Sequence, residues 1–129
     1  MRHYLDGLEE WSIEIPDGMA AHWTWDAFHV FERPGFKIFS AVYVDPNADP
    51  ARAIREYFDS DAEKAMPFET DSPDIIGCAI RHEPQYLEAL LAGNGCLIRL
   101  TFHGEDERDF DMATAILKSV KPVSQESDG

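Results

Sequence analysis

The chain has 129 residues, with 25 Asp and Glu against 11 Lys and Arg, a formal net charge of −14 and 44% hydrophobic residues. A domain of this length buries enough apolar surface to fold without a metal or a disulfide, and its apolar content excludes a disordered acidic tail. The charge argues against nucleic acid and anionic membrane surfaces as partners, since both must be met by clustered cations.

After Met1, the residues Arg2-His3-Tyr4-Leu5-Asp6 begin no secretory signal, and no run of 18 apolar residues occurs, so a cytoplasmic protein is expected. Residues 11–15, Trp-Ser-Ile-Glu-Ile, alternate apolar and polar side chains with the period of a strand, and Pro16-Asp17-Gly18 closes it. An aromatic-rich stretch follows, with His22, Trp23, Trp25, Phe28, His29 and Phe31, of which residues 25–32 read as a second strand. Arg33-Pro34-Gly35 is a turn, which makes Phe36–Val44 the return strand of a hairpin. Its length and β-branched content predict a central strand buried on both faces.

Asp49 is placed as an N-cap and Pro50 as the first residue of a helix, where a missing N–H costs nothing. Ile54, Tyr57, Phe58, Ala62, Ala65 and Met66 fall on one helical stripe, and Pro67 is expected to stop the helix. Residues 68–74 read as a polar loop, and Ile75–Ile80 as a strand. Tyr86 to Ala92 fits a short helix through Leu87, Leu90 and Leu91, or a strand. The reversal at Gly93-Asn94-Gly95 favours a strand paired with Cys96–Phe102. Glu105-Asp106-Glu107 leads into a second helix with Phe110, Ala113, Ile116, Leu117 and Val120 on one stripe; acids at its start and Lys118 and Lys121 near its end suit the helix dipole. The order is β-β-β-α-β-β-β-α, an α+β domain over residues 1–123 in which two helices pack on an antiparallel sheet of about six strands. Residues 124–129 are expected to be a disordered tail.

The opening strand Trp11-Ser-Ile-Glu-Ile-Pro-Asp-Gly18, the strand Leu97-Ile-Arg-Leu-Thr-Phe102, the acidic loop after it and the helix running from Phe110 to Val120 resemble PsbP-like, or Ran-binding Mog-type, domains. That resemblance implies an antiparallel sheet between helices. It also implies protein binding: Ran binding, photosystem assembly, or the chaperoning of type VI secretion effectors by Eag-type proteins on an apolar sheet face. The family shares no catalytic motif, so no functional residue carries over to a position here.

The residues suggest little chemistry of their own. His3, His22, His29, His82 and His103 form no H-x-x-x-H or H-E-x-x-H spacing, so neither a metal nor another cofactor is expected. Cys78 and Cys96 sit in apolar runs as buried thiols, and would pair only if their strands were neighbours. No G-x-S-x-G and no phosphate-binding glycine loop occurs, and no catalytic residue is assigned.

Two features point to a protein partner. One is the aromatic pair Trp23 and Trp25, a residue type enriched at binding hot spots. The other is acidic clustering: residues 45–74 carry nine acids against three bases, and residues 105–111 five against one. Candidate partner-binding residues are therefore Trp23, Trp25, Asp59, Asp61, Glu63, Glu105, Asp106 and Glu107.

The expected function is a non-enzymatic cytoplasmic binding module with another protein, a basic one, as partner. Its most concrete form is an immunity protein that neutralises a basic bacterial toxin. The alternatives are a PsbP-like chaperone or adaptor for a secretion-system effector, which would need an apolar sheet face, and a small enzyme, which would need His29, His82 or His103 in a pocket beside a desolvated carboxylate.

Overall fold

The computed structural model describes residues 2–5, 11–23, 29–44, 49–58, 66–70, 75–82, 86–93 and 95–122. In chain order the elements are β1 (Arg2–Tyr4), β2 (Trp11–Glu14), β3 (Ala20–Trp23), β4 (His29–Arg33), β5 (Phe36–Val44), α1 (Pro50–Phe58), β6 (Met66–Glu69), β7 (Ile76–His82), β8 (Tyr86–Gly93), β9 (Cys96–His103), α2 (Glu107–Lys118) and β10 (Lys121–Pro122). Seven strands form one sheet in the order β3-β4-β5-β9-β8-β7-β6, and three form a second in the order β1-β2-β10. Every pairing is antiparallel. The protein is thus an α+β fold with two helices on a mainly antiparallel sheet.

Side-chain alternation along the central strands separates two faces. On β9, Cys96, Ile98, Leu100 and Phe102 are buried in the main core with Phe36 and Ile38 of β5 and Leu87, Ala89 and Leu91 of β8. The small sheet and α2 cover this face through Trp11, Ile13, Phe110, Ala113, Ile116 and Leu117. On the other face α1 lays Ile54 and Phe58 over Cys78, Ile80 and Leu90. The two thiols therefore lie on opposite faces of one sheet. They are free and buried, and a disulfide between them is geometrically closed.

The expected hairpin of β4 and β5 is present, with Arg33 opposite Phe36 and Gly35 at φ 80° in the turn. Tyr86–Gly93 is a strand, as the glycine reversal favoured. Helix α2 starts where its acids predict. The Asp106 carboxylate accepts from the N–H groups of Arg108 and Asp109, and the Asp109 carboxylate accepts in return from the Asp106 N–H at 3.2 Å. Asp109 also accepts from the Glu105 N–H at 2.7 Å and from Arg33 at 3.0 Å. Burial alone would raise the Asp109 pKa, but these backbone donors and the Arg33 guanidinium outweigh it and hold the carboxyl below its ordinary value.

Several expectations are corrected. The described part of the second strand is β4, His29–Arg33, and an unforeseen strand, β3, precedes it; residues 25–28 of the expected strand lie outside the described residues. Met66 and Pro67, read as the end of a helix, belong to β6. Proline is tolerated there because β6 is the sheet's outermost strand and needs no ladder N–H on its open side. Ala62 and Ala65 of the predicted stripe lie outside the described residues, as does the tail. Strand β5 is central, but it is not buried on both faces: on the outer face Phe39 and Ala41 are half-buried and Lys37 and Tyr43 exposed, and on the core side burial is complete only from Phe36 to Ser40, Val42 being half-buried and Val44 exposed. The physical reason is that α1 covers the β7–β8 end of its face, and among the described residues no helix covers the β4–β5–β9 end, where Val30 and Thr101 are buried while Lys37 and Tyr43 are exposed.

Candidate functional site

The open end of the outer face gathers side chains by register. Lys37 pairs with His103, Phe39 with Thr101, Ala41 with Arg99 and Tyr43 with Leu97 across β5 and β9. Tyr86 pairs with His103 and Glu88 with Thr101 across β8 and β9. Phe39, Tyr86, Arg99, Thr101 and His103 line a recess of about 190 Å³.

The His103 imidazole meets the Tyr86 ring at 4.8 Å between centroids and the Phe39 ring, edge-on, at 5.5 Å. Burial, and then the nearby Lys37 charge, push the His103 pKa below its ordinary value, so at neutral pH the ring is uncharged. Arg99 donates to the Tyr86 hydroxyl and to Glu88 at 3.3 Å, while its Nε is buried with no hydrogen-bond partner among the described residues.

Glu88 ties the recess to α1. Its side chain, only 18% exposed, accepts from the Tyr57 hydroxyl at 2.6 Å and lies 3.5 Å from His82 Nε2. Burial and the Glu88 hydrogen bond together push the Tyr57 hydroxyl pKa far above the ordinary phenol value. Chemically, the recess offers aromatic surface, one guanidinium and a neutral imidazole, and among the described residues no carboxylate lines it. Among the described residues no three His, Cys, Asp or Glu side chains are grouped so as to hold a metal ion, and no helix is long and apolar enough to cross a membrane.

The residues singled out from sequence are dispersed relative to this recess. Trp23 is 51% exposed at the sheet's β3 edge, stacked on His29 at 4.8 Å with an interplanar angle of 11°. Trp25, Asp59, Asp61 and Glu63 lie outside the described residues. Glu105 is exposed, its carboxylate resting over Gly35 at a distance that a Cβ there would bring to 3.0 Å. Asp106 caps α2, and Glu107 accepts from Arg81 at 2.6 and 3.1 Å, so both serve the helix start. His82 and His103 do come near a shared site, but Tyr57, Tyr86, Glu88 and Arg99 were not foreseen in it. The alternation of Arg99, Thr101 and His103 along β9 was their one visible signal.

His29 is buried between Trp23 and Phe31, and burial, with His3 and His22 nearby, lowers its pKa from 6.5. The unfolded chain therefore binds more protons than the folded one below about pH 6.5, and stability should fall as pH drops through that value toward the folded pKa. His103 adds to the same slope. Urea midpoints between about pH 7.5 and 5.5 should show this decline, with a shallower slope in His29→Asn; a flat profile would contradict the burial of an uncharged imidazole.

No family model and no curated protein sequence matches the chain. Its fold is similar to the solution structure of cyanobacterial PsbP (CyanoP) from Synechocystis sp. PCC 6803, with a TM-score of 0.56 and 13% identity, over 95% of this chain and 91% of that one. The chain has a PsbP-like fold; at this identity the likeness concerns the fold and not the activity.

Proposed function

We propose that the chain is a non-enzymatic binding module of the cytoplasm, acting as an adaptor for a basic protein that seats on the uncovered half of the seven-stranded sheet. The observation that carries this reading is the half-face itself. Phe39, Tyr43, Tyr86 and Leu97 stand on it, and no described helix packs over them. Aromatic side chains beside an arginine are the composition of interface hot spots. The charges on the face pair locally, Lys37 with Glu32 at 3.6 Å and Arg99 with Glu88, so the face is close to neutral. The −14 excess lies elsewhere on the surface and would draw in a basic partner over a longer range. A PsbP-like fold is compatible with a chaperone or adaptor for a secretion-system effector.

A second reading, an immunity protein for a basic toxin, is favoured by that same net charge. Salt separates the two. Binding of the product of the adjacent gene should weaken only a few-fold between about 50 and 300 mM salt if aromatic contacts on the sheet dominate. It should weaken by roughly tenfold or more if acidic surfaces do. Binding lost on Tyr43→Ala supports the sheet face, and a neighbouring product that does not bind at all would sink both. The enzymatic reading has the least support: among the described residues His103 lines the recess without a carboxylate, and Glu88 beside His82 is already engaged by Tyr57 and Arg99.

A further inference from the structure

The large sheet ends in two unlike edges. At one end β6 carries Pro67, which has no N–H to offer. Proline and charge are the usual means by which an edge is kept from pairing with another chain. At the other end β3 reads Ala20-Ala21-His22-Trp23, with all four residues exposed and no proline, lysine or carboxylate among them. Among the described residues β3 pairs with β4 alone. In an antiparallel ladder alternate residues point their N–H and C=O groups away from the partner, and among the described residues no strand meets those groups along the outer side of β3.

We propose that the β3 edge receives an extended basic segment of a partner protein as an eighth strand. The proposal takes from the preceding reading only that the partner is a basic protein. Two observations choose the occupant. A second copy of the chain would bring another −14 to the same edge, whereas a segment rich in lysine or arginine is attracted. Trp23 supplies the matching contact. One face of its indole is held flat by His29, and half its surface remains in solvent, level with the edge. A lysine or arginine on the added strand, beside Trp23, would lie over that ring as a cation–π pair. By register Trp23 stands on the same face as His29, Phe31 and Ile38, so that lysine or arginine would lie on the core side of the added strand, and its alternate residues would continue the outer face of His22, Val30, Phe39 and Thr101. A partner lying across the open half-face could thus end on this edge.

The test uses three capped peptides: one alternating lysine and valine, the same peptide with alternate amides N-methylated, and one with glutamate for lysine. Amide hydrogen exchange is followed along the whole chain. The lysine peptide should slow exchange of the outward-facing amides of Ala20–Trp23 about tenfold at saturation, and the other two should not. Trp23→Ala should weaken the lysine peptide about fivefold. Equal protection by the glutamate peptide, or none lost on N-methylation, would overturn the basic strand. Protection on the open face with none at β3 would overturn strand addition and leave the adaptor reading standing. No protection anywhere would count against both.

Discussion

Phe102→Ala should lower stability by about 3–5 kcal/mol, the cost of removing a phenyl ring from a packed core. Phe102 has no exposed surface. It sits on the central strand β9, flanked across the ladders by Ile38 of β5 and Leu87 of β8, with the Phe36 ring 6.3 Å away. Those neighbours belong to the two strands that flank β9, so the hole cannot close without shifting the ladders themselves. The loss is a large share of the roughly 5–15 kcal/mol that holds an ordinary domain together. A fall in melting temperature on the order of 10–20 °C is expected. Thr101→Ala, one residue away on the outer face, is the control, and should cost no more than about 1 kcal/mol. Equal effects of the two changes would contradict the assignment of faces on β9.

Glu88→Ala should loosen α1 from the sheet by about 2 kcal/mol, as expected for hydrogen bonds to a charged group that is partly screened by water. It removes the acceptor of the Tyr57 hydroxyl and the anion beside Arg99 in one step. Helix α1 has few other holds: Phe58 is its one buried residue, and Ile54 packs beside it. Cys78 reports on the change because it lies under α1, where burial raises the thiol pKa and keeps it inert. Labelling of Cys78 by a thiol reagent should then run about 30-fold faster, the population change that 2 kcal/mol of local opening implies. Cys96, buried on the opposite face under α2 and the small sheet, is the internal reference and should be unaffected. Acceleration of both thiols together would mean global rather than local opening.

The fold was legible in sequence wherever an element was long enough to show its period. The strand Phe36–Val44 was read from its own pattern and the Pro34-Gly35 turn before it, and the stripe of Phe110, Ala113, Ile116 and Leu117 identified α2. Strands β1, β3 and β10 have three, four and two residues, too few for any period to stand out. Pro67 misled because the same residue that stops a helix also suits an edge strand, and only the sheet order distinguishes the two cases. The recess was less legible, for a different reason. Each of its walls comes from a different strand, and the pairing of Tyr86 with His103 or of Phe39 with Thr101 depends on long-range register that no local pattern carries. The acids near residue 106 drew attention as a docking surface, yet Asp106 and Glu107 work locally, as a cap and as the partner of Arg81.

The claim that a partner occupies the half of the sheet that no described helix covers is tested most directly by amide exchange on this chain, with and without the product of the adjacent gene. Slowed exchange centred on Phe39–Tyr43 and Leu97–Thr101, abolished by Tyr43→Ala, is the expected result. Protection confined to the exposed faces of α1 and α2, with β5 and β9 unchanged, would contradict it.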